Sequence, residues 1–516
     1  MKLVTAEQMR NIEERAVDAG VSLDSLMENA GLAVAEFVGS RHPNLFGMRI
    51  EILVGSGNNG GDGLVVGRHL SAWGANVYVS IAGKRPDSDP KLDCLDTDRT
   101  KIFRLADGNQ ISEFRTRLES TDLIVDAVLG TGSNRPIEDD LAEITFAATE
   151  SAVPVYAIDL PTGLNADTGH FDIRGLPADV TLQLGFPKIG PALRAVDAPT
   201  GEIEVLDIGI PSDPDVDLTT VLLDDQYVAS IYPSRESGGH KGSFGKALVL
   251  AGSETYPGAF SLATEAAVRS GCGYTFAAST STPIHATLSA VPEALYSNLT
   301  ADGSGSISPI SATQILEMAE SASSMVIGPG LSNTPATKQL IGILIEQLPE
   351  KLPLVLDADA LNALSDTHTW VSRLKNRRIL TPHAAELARL MNTTTANVLN
   401  DRLGAATKAA NELKSTVILK GPSTIIAAPD GRVCVSPWIN SGLAKGGSGD
   451  VLAGLMGGLL AQSPDEPFEM AAAAVYVHGY AANIARSDIG EQAMTASDVT
   501  GRLGEFYRQE VQPNLY

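Results

Sequence analysis

Lys445-Gly446-Gly447-Ser448-Gly449-Asp450 runs straight into the apolar segment Val451-Leu452-Ala453-Gly454-Leu455. A glycine run before a helical segment presents backbone N–H groups to an anion, and glycine lets that backbone come close. A carboxylate at such a junction stands beside bound phosphate and is placed to take a proton from a substrate hydroxyl. Helix capping explains an aspartate at 450 but not the glycines before it. A second run, Gly55-Ser56-Gly57-Asn58-Asn59-Gly60-Gly61-Asp62-Gly63, follows a β-like segment at 49–54 and precedes a helical pattern from Leu64 to Trp73. Strand, glycine loop and helix is the dinucleotide-binding order, although the G-x-G-x-x-G spacing is absent. Two more apolar runs end in aspartate. Asp126 closes one, before Gly130-Thr131-Gly132, and Asp159 closes the other, before Pro161-Thr162-Gly163. In an open parallel sheet, loops at the carboxyl ends of the strands converge on one crevice. An aspartate at a strand end often only caps the next helix. Three ends carrying Asn59, Asp126 and Thr162 form an oxygen-only set that suits a hard cation.

The chain that must position these groups has 516 residues, which suggests at least two domains. Hydrophobic residues are 43% and charged residues 19%, a globular composition. A net charge of −24 repels phosphate backbones and anionic lipid, which argues against nucleic acid and membrane partners. Cys94, Cys272 and Cys434 are odd in number and far apart, as in a reduced intracellular chain. The N-terminus lacks a signal-peptide core, and the apolar run 451–461 is too short to span a membrane. A cytoplasmic location is the expectation. Glycine- and alanine-rich helices suggest packing between subunits, hence a homo-oligomer.

Thr5-Ala6-Glu7-Gln8 fits a capping box for a helix running to Asp18. Asp207 to Asp215 is rich in proline and aspartate and reads as the break between halves. The expected domains are 1–213 and 222–516. In the second, strands at 246–251, 324–327, 354–356, 379–380 and 417–419 alternate with helical segments, and 424–427 with 433–435 reads as a hairpin. Alternation of this kind predicts a layered α/β domain with a largely parallel sheet. Asp357 and Asp359 suit either a metal pair on one strand face or capping of the next helix. Lys241 is a solvated lysine or a phosphate contact. Segment 471–474 with Tyr476 and His478 reads as a packed helix.

The Asn58-Asn59-Gly60-Gly61-Asp62 run, with the later Asp126-to-Gly132 and Ile158-to-Gly163 segments, resembles the NAD(P)H-hydrate epimerase domain over roughly the first two hundred residues. That resemblance implies a Rossmann-like fold and potassium held by Asn59, Asp126 and Thr162. It also implies a substrate site of Asn58, Asn59, Gly60, Gly61, Asp62, Gly130, Thr131, Gly132, Ser133, Asn134, Arg135, Pro136 and Asp159. Asp159 is the proton shuttle on this reading: water leaves a carbon beside a ring nitrogen and returns on the other face.

In the second half, Gly447-Ser448-Gly449-Asp450 with Lys420-Gly421-Pro422-Ser423-Thr424 resembles the ribokinase-like superfamily. Adding His240-Lys241-Gly242, Tyr256-Pro257-Gly258-Ala259, 357–362 and Thr381-Pro382-His383 narrows the resemblance to ADP-dependent NAD(P)H-hydrate dehydratase. The fold implied for the chain is α/β, two three-layer αβα domains, the first Rossmann-like and the second ribokinase-like. The implied roles are ADP binding by Lys420, Gly421, Pro422, Ser423, Thr424 and Gly449, and substrate contact by Ala259, Gly330, His383 and Asp450. Asp450 is the implied catalytic base, with Mg2+ at the transferring phosphate. The family usually has Pro-Gly-Glu after its histidine, where this chain has Ala384-Ala385-Glu386. The implied substrates are the hydrates of NADH and NADPH, with ADP as co-substrate. Two other readings are a kinase of the same fold that releases a stable phosphoester, and an N-terminal domain that binds without catalysis.

Overall fold

The strand β1 (Arg49–Val54) feeds apolar side chains alternately to two cores. Ile50, Ile52 and Val54 join one cluster with residues of α2 (Leu23–Arg41) and α3 (Asn58–Ala72). Leu53 joins another, against the helices Gly108–Leu118 and Asp139–Glu150. A strand buried on both faces requires a helix layer on each side of its sheet. The structure is a computed structural model and describes residues 1–86, 88–96, 98–105, 108–132, 136–193, 200–211, 218–365, 369–373 and 378–511. The chain divides into two compact units, Met1–Leu218 and Thr219–Tyr516.

In the first unit, β1 is joined by β2 (Asn76–Ile81), β3 (Thr100–Arg104), β4 (Leu123–Ala127), β5 (Val155–Ile158), β6 (Val180–Leu184) and β7 (Glu202–Leu206). Their order is β3-β2-β1-β4-β5-β6-β7, and every pairing is parallel. The order reverses between β1 and β4, which opens a crevice at the carboxyl ends of those strands. The helix α1 (Ala6–Asp18) starts with the full capping box of Thr5 and Gln8. One expectation is corrected here. The Asn-Asn-Gly-Gly-Asp run is not a loop: α3 begins at Asn58, so these residues form its first turns. Gly60 and Gly61 pack behind that turn, against the Gly55 carbonyl and Met27.

The second unit holds β8 (Thr220–Leu222), β9 (Lys246–Leu250), β10 (Tyr274–Ser279), β11 (Leu295–Asn298), β12 (Ser324–Ile327), β13 (Leu354–Leu356), β14 (Arg378–Leu380), β15 (Thr416–Leu419), β16 (Ile425–Ala427) and β17 (Val433–Val435). The sheet order is β11-β10-β9-β12-β13-β14-β15-β16-β17-β8. Pairing is parallel except where β16 meets β15 and β17, which makes the hairpin. The helix Ser448–Gln462 crosses the helix Pro257–Arg269 closely, because Gly454 faces the Ala263 carbonyl. A methyl carbon at 454 would lie 2.1 Å from that oxygen. Gly479 of the helix Pro467–Ile489 meets Trp438 in the same manner. Gly454 and Gly479 thus serve packing inside the unit. No described helix is long and apolar enough to cross a membrane.

Candidate active sites

A cleft of about 900 Å³ opens in the first unit at the β1/β4 switch point. The first two turns of α3 contribute Asn58, Asn59 and Asp62, the loop after β4 contributes Gly130, Thr131 and Gly132, and the end of β5 contributes Asp159. Gly60, Gly61 and the exposed Pro136 do not line it. Ser133, Asn134 and Arg135 lie outside the described residues.

Asp159 is buried with φ +65, an uncommon backbone for a residue other than glycine and one that clusters at functional sites. Its carboxylate accepts from the Thr131 hydroxyl at 2.7 Å and the Thr131 N–H at 3.2 Å. Lys188, only 1% exposed, approaches it at 2.5 Å and also donates to the Leu184 carbonyl. Burial alone would raise the Asp159 pKa, but Lys188 and Thr131 outweigh it and hold the carboxyl below its usual value. Lys188 was not singled out in the sequence. A lysine embedded among Leu184, Phe186 and Ile189 was the available signal.

Behind the cleft, buried Asp126 accepts from the Thr162 hydroxyl at 2.7 Å, the Thr162 N–H at 2.8 Å and the Val128 N–H at 3.1 Å. Burial nevertheless pushes its pKa up to about 6, against the pull of those donors. Asn59 packs beside Gly130, and both polar atoms of its buried side chain lack a partner among the described residues. A buried amide oxygen without a donor and a desolvated carboxylate are what an oxygen-seeking cation would satisfy. The residues present therefore fit potassium.

In the second unit, the candidate residues sit at the carboxyl ends of the strands. Asp450 occupies the first turn of helix Ser448–Gln462, whose N-terminus has no side-chain cap. Lys420, following β15, pairs with Asp357 at 2.7 Å and reaches Glu386 at 3.9 Å. Gly449 lies against this pair, its missing Cβ falling 3.6 Å from the Lys420 ammonium. Burial, reinforced by the Asp357 charge and opposed by Lys420, pushes the Asp450 pKa up to about 7. That places a carboxylate near the ideal range for a general base at neutral pH.

Gly330 has φ +63 and touches Ala259 and Tyr256; a methyl carbon there would sit 2.7 Å from the Ala259 Cβ. His383 caps the helix Ala384–Leu390: its Nδ1 accepts from the Ala385 and Glu386 N–H groups, while Glu386 accepts from the His383 N–H at 2.8 Å. The Ala384-Ala385 pair thus enters a regular first turn. The 420–424 loop is braced by Arg402, which donates to the carbonyls of Pro422 and Ser423. Arg402 was also missed, because nothing local in the sequence links it to a loop so far ahead.

One expectation changes. Asp357 and Asp359 do not face one way along a strand, since β13 ends at Leu356 and Ala358 has φ +47. Asp357 turns to Lys420 and Thr381, whereas Asp359 opens the helix Asp359–Leu364 and accepts from the Ser332 N–H at 2.8 Å. No group of three histidine, cysteine or acidic side chains arranged for a metal exists among the described residues. Lys241 is exposed and stacks over Tyr274 at 5.2 Å.

Family models match both halves: a YjeF-related protein N-terminus over residues 23–190 and an NAD(P)H-hydrate dehydratase over residues 247–503. A bifunctional NAD(P)H-hydrate repair enzyme from Moorella thermoacetica is 36% identical, over 97% of this chain and 95% of the relative. The Escherichia coli protein of the same description is 31% identical, over 98% of this chain and 94% of its own length. A solved ribokinase-like protein from Enterococcus faecalis has a TM-score of 0.51 at 24% identity, covering 58% of this chain and all of that one, a likeness of fold. The chain belongs to the family of bifunctional NAD(P)H-hydrate repair enzymes.

Proposed function

We propose that the first unit interconverts the R and S hydrates of NADH and NADPH, and that the second dehydrates the S form at the expense of ADP. The domains on this reading are 1–213 and 222–516. The observation that carries it is Asp450, a half-buried carboxyl with a pKa pushed up to about 7 at an uncapped helix N-terminus beside Lys420 and Gly449. Asp450 takes the hydroxyl proton, and that oxygen attacks the terminal phosphoryl group of ADP, releasing AMP. Phosphate then departs, driven by the ring nitrogen's lone pair, while the adjacent carbon loses a proton. NAD(P)H, AMP and phosphate result. Hydroxide is a poor leaving group and phosphate a good one, which gives nucleotide consumption its chemical reason. Lys420, Gly421, Pro422, Ser423, Thr424 and Gly449 hold the nucleotide, and Ala259, Gly330 and His383 hold the hydrated ring. Magnesium does not fit as a protein-only site, because Asp357 and Asp359 are already engaged. It belongs with the nucleotide phosphates, where it would offset their charge.

In the first unit Asp159 handles the proton during loss and return of water. Asn59, Asp126 and Thr162 hold potassium, which supplies positive charge beside a desolvated carboxylate. Replacing potassium by tetramethylammonium is expected to slow R/S interconversion. The Asp126→Asn variant is expected to lose that cation dependence, as followed by chromatographic separation of the two forms. The reading as a whole is tested by supplying S-hydrate and ADP: NADH, AMP and phosphate should appear in equal amounts. A stable phosphorylated alcohol without NADH would replace it with a kinase.

A further inference from the structure

Resting on the proposed R/S interconversion, we infer that Asp62 is a second catalytic residue of the first unit, the proton donor that shares the cleft with Asp159. Asp62 is 8% exposed, lines the cleft from the second turn of α3, and its carboxyl has no hydrogen bond or ion pair among the described residues. A buried carboxyl without a donor or a cation is costly to ionise and persists as the neutral acid.

Three cations near it, Arg85, Lys91 and Lys188, are already paired. From the segment after β2, Arg85 pairs with Asp89 at 2.6 Å, and Lys91 pairs with Asp24 and Glu28 of α2. At the end of β5, Asp159 holds Lys188. From α1, Arg10 and Glu13 face the cleft, and Glu13 adds a further negative charge. Burial, then the charges of Asp159 and Glu13, push the Asp62 pKa well above the usual carboxylate range, against weaker opposition from Lys91 and Lys188. Two carboxyls in one cleft whose surroundings drive them to opposite protonation states divide the roles of acid and base.

The Asp62 carboxyl gives its proton to the departing hydroxyl. The C–O bond breaks, water forms, and the ring nitrogen's lone pair completes a C=N bond. A water molecule adds to the opposite face, and its surplus proton passes to Asp159. One proton has moved from Asp62 to Asp159, and water in the cleft carries it back. In the reverse direction the two carboxyls exchange roles.

The test is the pH dependence of enzymatic interconversion, with the uncatalysed rate subtracted, for the whole chain and its Asp62→Asn and Asp159→Asn variants. Thermal unfolding reports whether each is folded. The intact chain should give a bell-shaped kcat. Asp62→Asn, which preserves a neutral group of the same size, should remain folded, lose roughly 10²–10⁴-fold in kcat, change KM little, and lose the alkaline limb. Asp159→Asn should lose the acid limb instead. Glu13→Gln should move the alkaline limb to lower pH. A folded Asp62→Asn variant that keeps kcat within about threefold, or that keeps the alkaline limb, overturns the role. So does a loss confined to KM, which would make Asp62 a binding residue. Absence of any interconversion by the intact chain would instead overturn the epimerase reading beneath it.

Discussion

Asp450→Asn is expected to stop ADP-driven recovery of NAD(P)H almost completely, with a loss of roughly 10²–10⁴-fold in kcat while R/S interconversion continues. Asp450 stands in the first turn of a helix whose free N–H groups favour phosphate, and Gly449 beside it leaves the approach open. Asparagine keeps the size and removes the proton acceptor. Nucleotide binding should survive, because the 420–424 loop and its Arg402 brace are untouched. The pH dependence carries a sign. A base acts only when ionised, and Asp450 in the free unit keeps its proton up to about pH 7. The kcat/KM for the hydrate should therefore rise through about pH 7 and level off above it. Asp357→Asn removes the negative charge that acts most strongly on Asp450 and frees Lys420, so this limb should move to lower pH. A limb that stays in place in that variant would detach Asp357 from the base.

Lys188→Met is expected to act on both stability and catalysis in the first unit. It strips the counter-ion from a buried pair, a loss of about 3–5 kcal/mol. Lys188 holds the folded-state pKa of Asp159 below its unfolded value. The wild-type pair thus contributes stability above the ordinary aspartate range and loses it as pH falls through the folded pKa. In the variant only the Thr131 hydrogen bonds oppose burial, and the Asp159 pKa rises. Ionised Asp159 then costs stability at neutral pH, and the acid limb of interconversion should move to higher pH. Thermal unfolding against pH and the rate profile read the two effects separately. An unchanged melting temperature with an unchanged acid limb would contradict this account of the pair.

The parts of the fold that alternate clearly were readable from the sequence. Buried parallel strands such as 123–127 and 324–327 are continuous apolar runs, and the Thr5 capping box signals α1. The edge strands β3 and β7 escaped, since Lys101, Ile102, Glu202 and Glu204 are exposed and the apolar pattern is diluted. The first turn of α3 read as a loop because glycine and asparagine have poor helix propensity; tertiary packing against Met27 and Gly55 overrides it. Residues of the sites came largely from resemblance to a family, whereas partners distant in sequence did not. Lys188 opposite Asp159, Arg402 beneath Ser423 and Lys420 between Asp357 and Glu386 are pairings that only the folded chain brings together.

The central claim is that one chain carries two complementary active centres. The direct measurement is the near-ultraviolet absorbance of reduced nicotinamide when a mixture of R and S hydrates is given to the chain with excess ADP and potassium. The account predicts recovery to completion for the intact chain. It predicts that Asp159→Asn halts near the S share and then creeps at the uncatalysed rate, and that Asp450→Asn shows almost no recovery. An intact chain that halts at the S share, with the same slow tail as Asp159→Asn, would contradict it.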